Sequence, residues 1–216
     1  AVSADGRYVA FRSYASNLVA NDTNGYYDVF VRDRQLAQTT RVSVATGGAQ
    51  AYGDGAVSIS GDGRYVAFAS SANNLVVGDS NNTYDIFVHD RDTVTTTRVS
   101  VDSAGLQATN SSTNPSLSSD GRYVAFQSDA TNLVAGDNNG ASDVFVHDRN
   151  TASTSRVSVD GGGQEVNSSS SYASISGDGT RVAFGSNASN LVPGDINGQR
   201  DVFVRDLSAG TTSRVN

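Results

Sequence analysis

The chain has no cysteine. That removes any disulfide framework and any thiol or cysteine-zinc chemistry, and it leaves the redox compartment open. Lysine is absent too: all 15 basic residues are arginine. Of the 22 acidic residues only Glu165 is glutamate. The formal charge of -7 argues against nucleic acid as the main partner, because phosphate binding requires clustered cations. No apolar run approaches the roughly 20 residues needed to span a bilayer, so no membrane span is expected. Methionine is missing, and Ala1 falls inside a repeat. The chain is therefore expected to be a processed or excised piece, with any export signal lying outside it.

What the chain does contain is one unit written four times. Asp-Gly pairs stand at Asp5-Gly6, Asp62-Gly63, Asp120-Gly121 and Asp178-Gly179. Each opens a run of the type Arg-Tyr-Val-Ala-Phe. Such periods identify repeat architectures, in which no single copy is large enough to bury a core alone. Four strands per copy are expected. The first is short and rich in small residues (1–3, 57–60, 116–118, 174–176), and the Asp-Gly turn supplies the positive φ of a tight hairpin. The second, Arg7 to Phe11 and its counterparts, and the third, Asp28 to Val31 and its counterparts, are apolar on both faces and must be covered on both sides. The fourth, Thr40 to Val44 and its counterparts, alternates apolar with polar and suits an exposed edge. Between the second and third strands runs a long polar loop. Its Leu18, Leu75, Leu133 and Leu191 are expected to pin it to the sheet.

A small inner strand, two doubly covered strands and a half-exposed outer strand form the gradient of sheets packed around an axis. The expected fold is all-β: a β-propeller of four-stranded antiparallel blades at approximately residues 1–44, 57–101, 115–159 and 173–216, within one domain. A β-sandwich is the alternative, but nothing in it demands that the whole pattern recur. The Ser-x-Asp-Gly-Arg-Tyr-Val-Ala-Phe run resembles the signature of TolB-like propellers, also called PD40 or WD40-like repeats, over nearly the whole chain. Three departures stand out. The proline that commonly precedes Asp-Gly in that family is Ala4, Gly61, Ser119 or Gly177 here. The fourth copy reads Thr180-Arg181 in place of Arg-Tyr. The loop between second and third strands is longer than usual. The resemblance thus implies the fold but not the family's partners. A ring closed by these four blades is preferred to a part of a larger ring or a homo-oligomer.

The strongest candidate chemistry is Asp-x-Asn-x-x-x-Asp, just before each third strand. It comprises Asp22, Asn24 and Asp28; Asp79, Asn81 and Asp85; Asp137, Asn139 and Asp143; and Asp195, Asn197 and Asp201. Hard oxygen donors at alternate positions of a turn suit Ca²⁺, up to one ion per blade and weakly held, on the order of 10⁻⁴ to 10⁻³ M. The competing reading is that these residues form Asx-turns and cap the hairpin. Asp33, Asp90, Asp148 and Asp206 read as turn acceptors or arginine partners, with Arg41, Arg98, Arg156 and Arg214 as candidates. His89 and His147 share a repeat position with Arg32 and Arg205, and a position that tolerates arginine is expected to be solvated. Tyr14, Tyr26, Tyr27, Tyr52, Tyr84 and Tyr172 lie outside the core repeat; the commoner role for such residues is to cover a strand, the other to stack on a sugar or a partner.

Repeated acids suit binding better than one asymmetric active site. The expectation is a non-enzymatic, calcium-binding module that is secreted, periplasmic or at the cell surface, with a protein or glycan partner. A carbohydrate-binding propeller is the alternative, and a hydrolase using Glu165 the third.

Overall fold

Residues 1–216 are described by a computed structural model, all strands and turns. In the first blade β1 (Tyr8–Ser13), β2 (Asp28–Asp33) and β3 (Gln38–Arg41) form a three-stranded sheet. Its inner strand is reduced to one bridge between Val2 and Val9. The second blade is β4 (Val57–Ile59), β5 (Tyr65–Ser70), β6 (Asp85–Asp90) and β7 (Thr95–Arg98). The third is β8 (Ser112–Leu117), β9 (Tyr123–Ser128), β10 (Asp143–Asp148) and β11 (Ser153–Arg156). The fourth is β12 (Ser170–Ile175), β13 (Arg181–Ser186), β14 (Asp201–Asp206) and β15 (Thr211–Arg214). Each sheet is antiparallel with its strands in sequence order, and Phe68 pairs with Phe87 as Phe126 pairs with Phe145. No helix is long and apolar enough to cross a membrane.

The alternation of the second strand explains the packing. Val66 and Phe68 point back to the first blade, where they meet Val29, Val31 and Val42. Ala67 and Ala69 point forward, with Tyr65 beside them, to meet Val124 and Phe126 of the third blade. Leu75, Leu133 and Leu191 are each 1 % exposed within these interfaces, so they do pin their loops. The amide of the asparagine before each leucine reaches across to the preceding blade: Asn74 to the Gln50 carbonyl, Asn132 to that of Gln107, Asn190 to that of Glu165.

At the inner edge, small residues let backbones meet. Gly61 N–H donates to the Ser119 carbonyl and Ser119 N–H to that of Gly177. Ser58 and Ser116 hydroxyls accept from Leu117 N–H and Ile175 N–H of the next blade. This satisfies inner-edge donors that would otherwise be buried without a partner.

Several expectations need correction. The positive φ of the Asp-Gly turn falls on the glycine alone, as at Gly63 (φ +76°). The aspartate acts through its side chain, with Asp62 accepting from Ser60 Oγ at 2.6 Å and Arg64 N–H at 2.9 Å. β8 and β12 begin four residues before the expected start, each crossing a bulge. Pro115 can lie in β8 because the bulge relieves it of a ladder bond. The fourth strand ends at Arg41 and its equivalents, because Val42 turns into the next interface and Ser43 toward Asp28.

The four blades do not close a ring. Three apolar clusters join the first blade to the second, the second to the third and the third to the fourth. No apolar cluster, hydrogen bond or ion pair joins the fourth blade to the first. Val202 is 43 % exposed on the free face of the fourth blade, whereas its counterparts Val29, Ile86 and Val144 are fully buried. The wedge angle set by these interfaces leaves an open arc.

Tyrosine locks each junction. The Tyr65 ring lies against Gly121, so a Cβ there would sit 2.7 Å from Tyr65 Cγ and closer still to Cδ2. Arg149 caps the same ring at 4.3 Å. Gly6, with φ +70°, has no such ring against it. Gly6→Ala should therefore cost only the left-handed backbone penalty, roughly 1 kcal/mol. Gly121→Ala adds overpacking and should cost roughly 3 kcal/mol. Thermal melting should separate the two by about 4–8 °C; equal shifts would show that the ring contact does not hold the junction.

Candidate functional site

The last aspartate of each motif begins the third strand, and the backbone there points it inward. Asp28, Asp85 and Asp143 are fully buried and Asp201 is 3 % exposed. A buried carboxylate must be fully hydrogen-bonded and compensated in charge. Asp85 shows how. Its Oδ1 accepts from Ser100 Oγ at 2.5 Å, and that hydroxyl in turn accepts from Ile86 N–H. Its Oδ2 accepts from Asn81 Nδ2 at 2.9 Å and lies 3.4 Å from Arg98 Nη1. Burial raises the Asp85 pKa, while Ser100 and Arg98 pull it back. The same arrangement serves Asp28 through Ser43, Asn24 and Arg41, and Asp143 through Ser158, Asn139 and Arg156. Asn216 replaces the serine for Asp201, donating through Nδ2 at 3.1 Å.

The first aspartate of each motif joins the same arginine. Nη1 lies 3.4 Å from Asp22 in the first blade, 3.2 Å from Asp79 in the second, 3.4 Å from Asp137 in the third and 3.1 Å from Asp195 in the fourth. The structure thus brings both aspartates of every motif together around one guanidinium. The asparagines are turned otherwise. Asn24 Nδ2 also donates to the Ala51 carbonyl, and its Oδ1 accepts from Tyr26 N–H at 3.0 Å. Asn81, Asn139 and Asn197 make the same Asx-turns, so their amide oxygens face the loop backbone.

Two pairings differ from expectation. Arg41, Arg98, Arg156 and Arg214 belong to the motif aspartates. Asp33, Asp90, Asp148 and Asp206 pair instead with Arg7, Arg64, Arg122 and Arg181 of the neighbouring strand. The hydrogen bond from Arg7 holds Asp33 at a pKa of about 2.

Sequence reasoning missed Gln50 and Gln107, and it singled out Glu165 without placing it beside the motif; the three follow the arginine by nine positions in three blades. Gln50 Nε2 donates to Asp22 Oδ1 at 3.0 Å. Gln107 Oε1 accepts from Arg98 Nη1 at 2.8 Å, and Glu165 Oε1 from Arg156 Nη1 at 2.7 Å. Asp137, Asp143 and Glu165 each offer an oxygen within 4.8 Å of the others. Burial first, then the neighbouring Asp143 charge, pushes the Asp137 pKa up to about 6.

The histidines are not solvated: His89 is 3 % and His147 5 % exposed. Thr96 gives its only proton to the Val44 carbonyl of the preceding blade, so it must accept from His89 Nδ1–H at 2.9 Å. His147, Thr154 and Val101 repeat this chain, and in the fourth blade Arg205 donates to Thr212, which donates to Val159. The repeat position requires an N–H donor, which arginine and histidine both provide.

The tyrosines divide. Tyr52 and Tyr84 pack onto the core. Tyr14, Tyr26 and Tyr27 stay exposed on the first blade, where Tyr14 meets Tyr27 edge-on and Arg12 lies 4.6 Å over the Tyr27 ring. Tyr172 is exposed with Arg200 above it.

Sheets stacked about an axis, joined inner strand to inner strand, define a β-propeller. Solved structures agree. TolB from Acinetobacter baumannii superposes over all of this chain and 42 % of its own, at a TM-score of 0.60 and 19 % identity. A putative TolB from Agrobacterium tumefaciens matches 99 % of this chain and 62 % of its own, at 0.60 and 16 %. The propeller domain of the trilobed protease from Pyrococcus furiosus, described as having an open velcro topology, matches 98 % of this chain and 54 % of its own, at 0.55 and 13 %. The chain therefore spans less than two thirds of each of these proteins. No family model matches the sequence, and no curated protein does. The likeness is one of fold, and it agrees with the TolB-like Asp-Gly signature.

Two predictions follow from the buried charges. Arg98 is 11 % exposed in its side chain, and Arg181 is 61 %. Arg98→Ala strands two buried carboxylates and should cost about 3 kcal/mol, whereas Arg181→Ala should cost under about 0.5 kcal/mol; chemical denaturation reads both. Burial lowers the His89 pKa to about 4 and lowers that of His147 as well. The unfolded chain takes up these protons first, so stability is lost as pH falls from about 6.5 toward 4. His89→Arg with His147→Arg should flatten that part of the melting profile; an unchanged slope would mean that the histidines are already solvated.

Proposed function

We propose that this chain is part of a non-enzymatic β-propeller module that binds or scaffolds a partner outside the cytoplasm, with calcium ordering its loops. One observation carries the reading: the repeated reactive side chains are committed to one another. Every motif aspartate faces an arginine, and both histidines are buried donors to threonine. Such groups stiffen loops and leave little for acid–base or nucleophilic work. Calcium suits loops that gather carboxylates at one point, and weak sites of this kind fill only where calcium is abundant, as in extracellular modules. A protein partner is the first reading, since the neighbours in fold differ in what they do while sharing the scaffold.

The exposed Tyr14, Tyr26 and Tyr27 with Arg12 favour a second reading, a carbohydrate surface on which sugar rings stack. A glycan array probed in calcium and again in chelator discriminates them. The scaffold reading expects no signal in either. A signal that disappears in Tyr26→Ala and Tyr27→Ala would replace it with the carbohydrate reading. At ten times its dissociation constant, calcium should stabilise the fold by about 1.4 kcal/mol, raising the melting temperature by about 3–6 °C; an unchanged melting curve in saturating calcium would remove calcium from the reading.

A further inference from the structure

The third blade carries an acid where the first two carry glutamine, nine residues after the arginine. In the first blade Gln50 presents an amide N–H to Asp22 Oδ1 and so satisfies it. Glu165 occupies that position in the third blade. A carboxylate has no donor to offer, and it adds a negative charge. Gln107 in the second blade gives its amide to Ser80 instead, but there the acid count stays at two; in the third blade Asp137 has an Oδ1 that receives no hydrogen bond, on a side chain only 2 % exposed, beside an added carboxylate. Its nearest cation, Arg156 Nη1, stands 3.4 Å away and is closer to Glu165, at 2.7 Å. Three carboxylates against one guanidinium leave two uncompensated negative charges at this point, where the first, second and fourth blades have two carboxylates against one guanidinium and so leave one. An unsatisfied buried carboxylate oxygen is costly, and hard oxygen donors with a residual double charge suit a divalent ion.

We propose that the third blade alone of the four holds one calcium ion, between Asp137, Asp143 and Glu165. Asp137 turns its unpartnered oxygen to the ion, Asp143 supplies an oxygen from the rigid start of β10, and Glu165 supplies one from the linker. Asn139 is not a ligand, because its amide donates to Asp143 and to the Val166 carbonyl. The ion competes with Arg156 for the same oxygens. In the other blades the arginine is the resident cation and the glutamine, where present, takes the place of a third acid. This inference rests on the reading that the loops take calcium, and it sharpens that reading from one site per blade to a single site.

Titration calorimetry of the whole chain with calcium chloride at pH 7.5 tests it. One ion per chain is expected, at a dissociation constant on the order of 10⁻⁴ M. Glu165→Gln restores the residue of the first two blades and is expected to fold normally while weakening calcium at least tenfold. Asp79→Asn, the counterpart of Asp137 in the second blade, should leave the titration unchanged. Arg156→Gln should tighten binding by removing the competing cation. Four ions per chain, or an affinity that Glu165→Gln leaves intact, would overturn the single-site inference while keeping calcium in the loops. No heat and no melting shift with any protein would overturn both, leaving Asp137 to be satisfied by a proton alone.

Discussion

A carboxylate with almost no access to water sits at the start of every third strand, and most of what surrounds it is arranged to make that tolerable. The serine two residues past the fourth strand, the asparagine four residues before, and the arginine that ends the fourth strand each supply part of the compensation. Together with the aspartate they come from three segments: the long loop, the third strand and the end of the fourth. Meeting the needs of one ion therefore fastens the long loop to the third strand and the end of the fourth strand to both. A loop of this length would otherwise lose too much chain entropy to stay fixed by packing alone.

Between blades the logic changes from charge to shape. Aromatic rings enter spaces that only glycine leaves open, and guanidinium groups lie over the rings. Around the inner edge, hydroxyls and bare backbone replace side-chain bulk. The threonine relay adds a polar bond at each junction, donated from histidine or arginine. Apolar burial supplies the attraction, while these directional contacts fix the angle and the order.

Much of this was legible in the sequence, and the reasons for the rest are specific. The Asp-Gly spacing disclosed the repeat, and alternation in Tyr-Val-Ala-Phe disclosed two buried faces. The arginine at the aspartate site was also within reach. It lies 13 residues after the aspartate in all four copies, and in the hairpin register Arg41 stands opposite Phe30, two residues from Asp28 on the same face. Pairing by hairpin register rather than by charge would have found it. The histidine position misleads because arginine at a repeat position suggests water, when what the position selects is a donor. The fourth strand reads as running on to Val44 because Arg-Val-Ser-Val alternates like a strand although its last residues leave the sheet. Closure of the ring was beyond local pattern, since the angle between blades is a property of packed interfaces.

The junction also has a direction. Tyr8, Tyr65 and Tyr123 each press against a glycine of the blade that follows, so all three junctions run the same way along the chain. Arg181 holds the tyrosine's position in the fourth blade, and Arg34 lies against Gly6. Because ring and bare backbone always meet in the same order, each blade carries a front and a back, and a blade turned over in the stack would have neither lock nor keyway to meet.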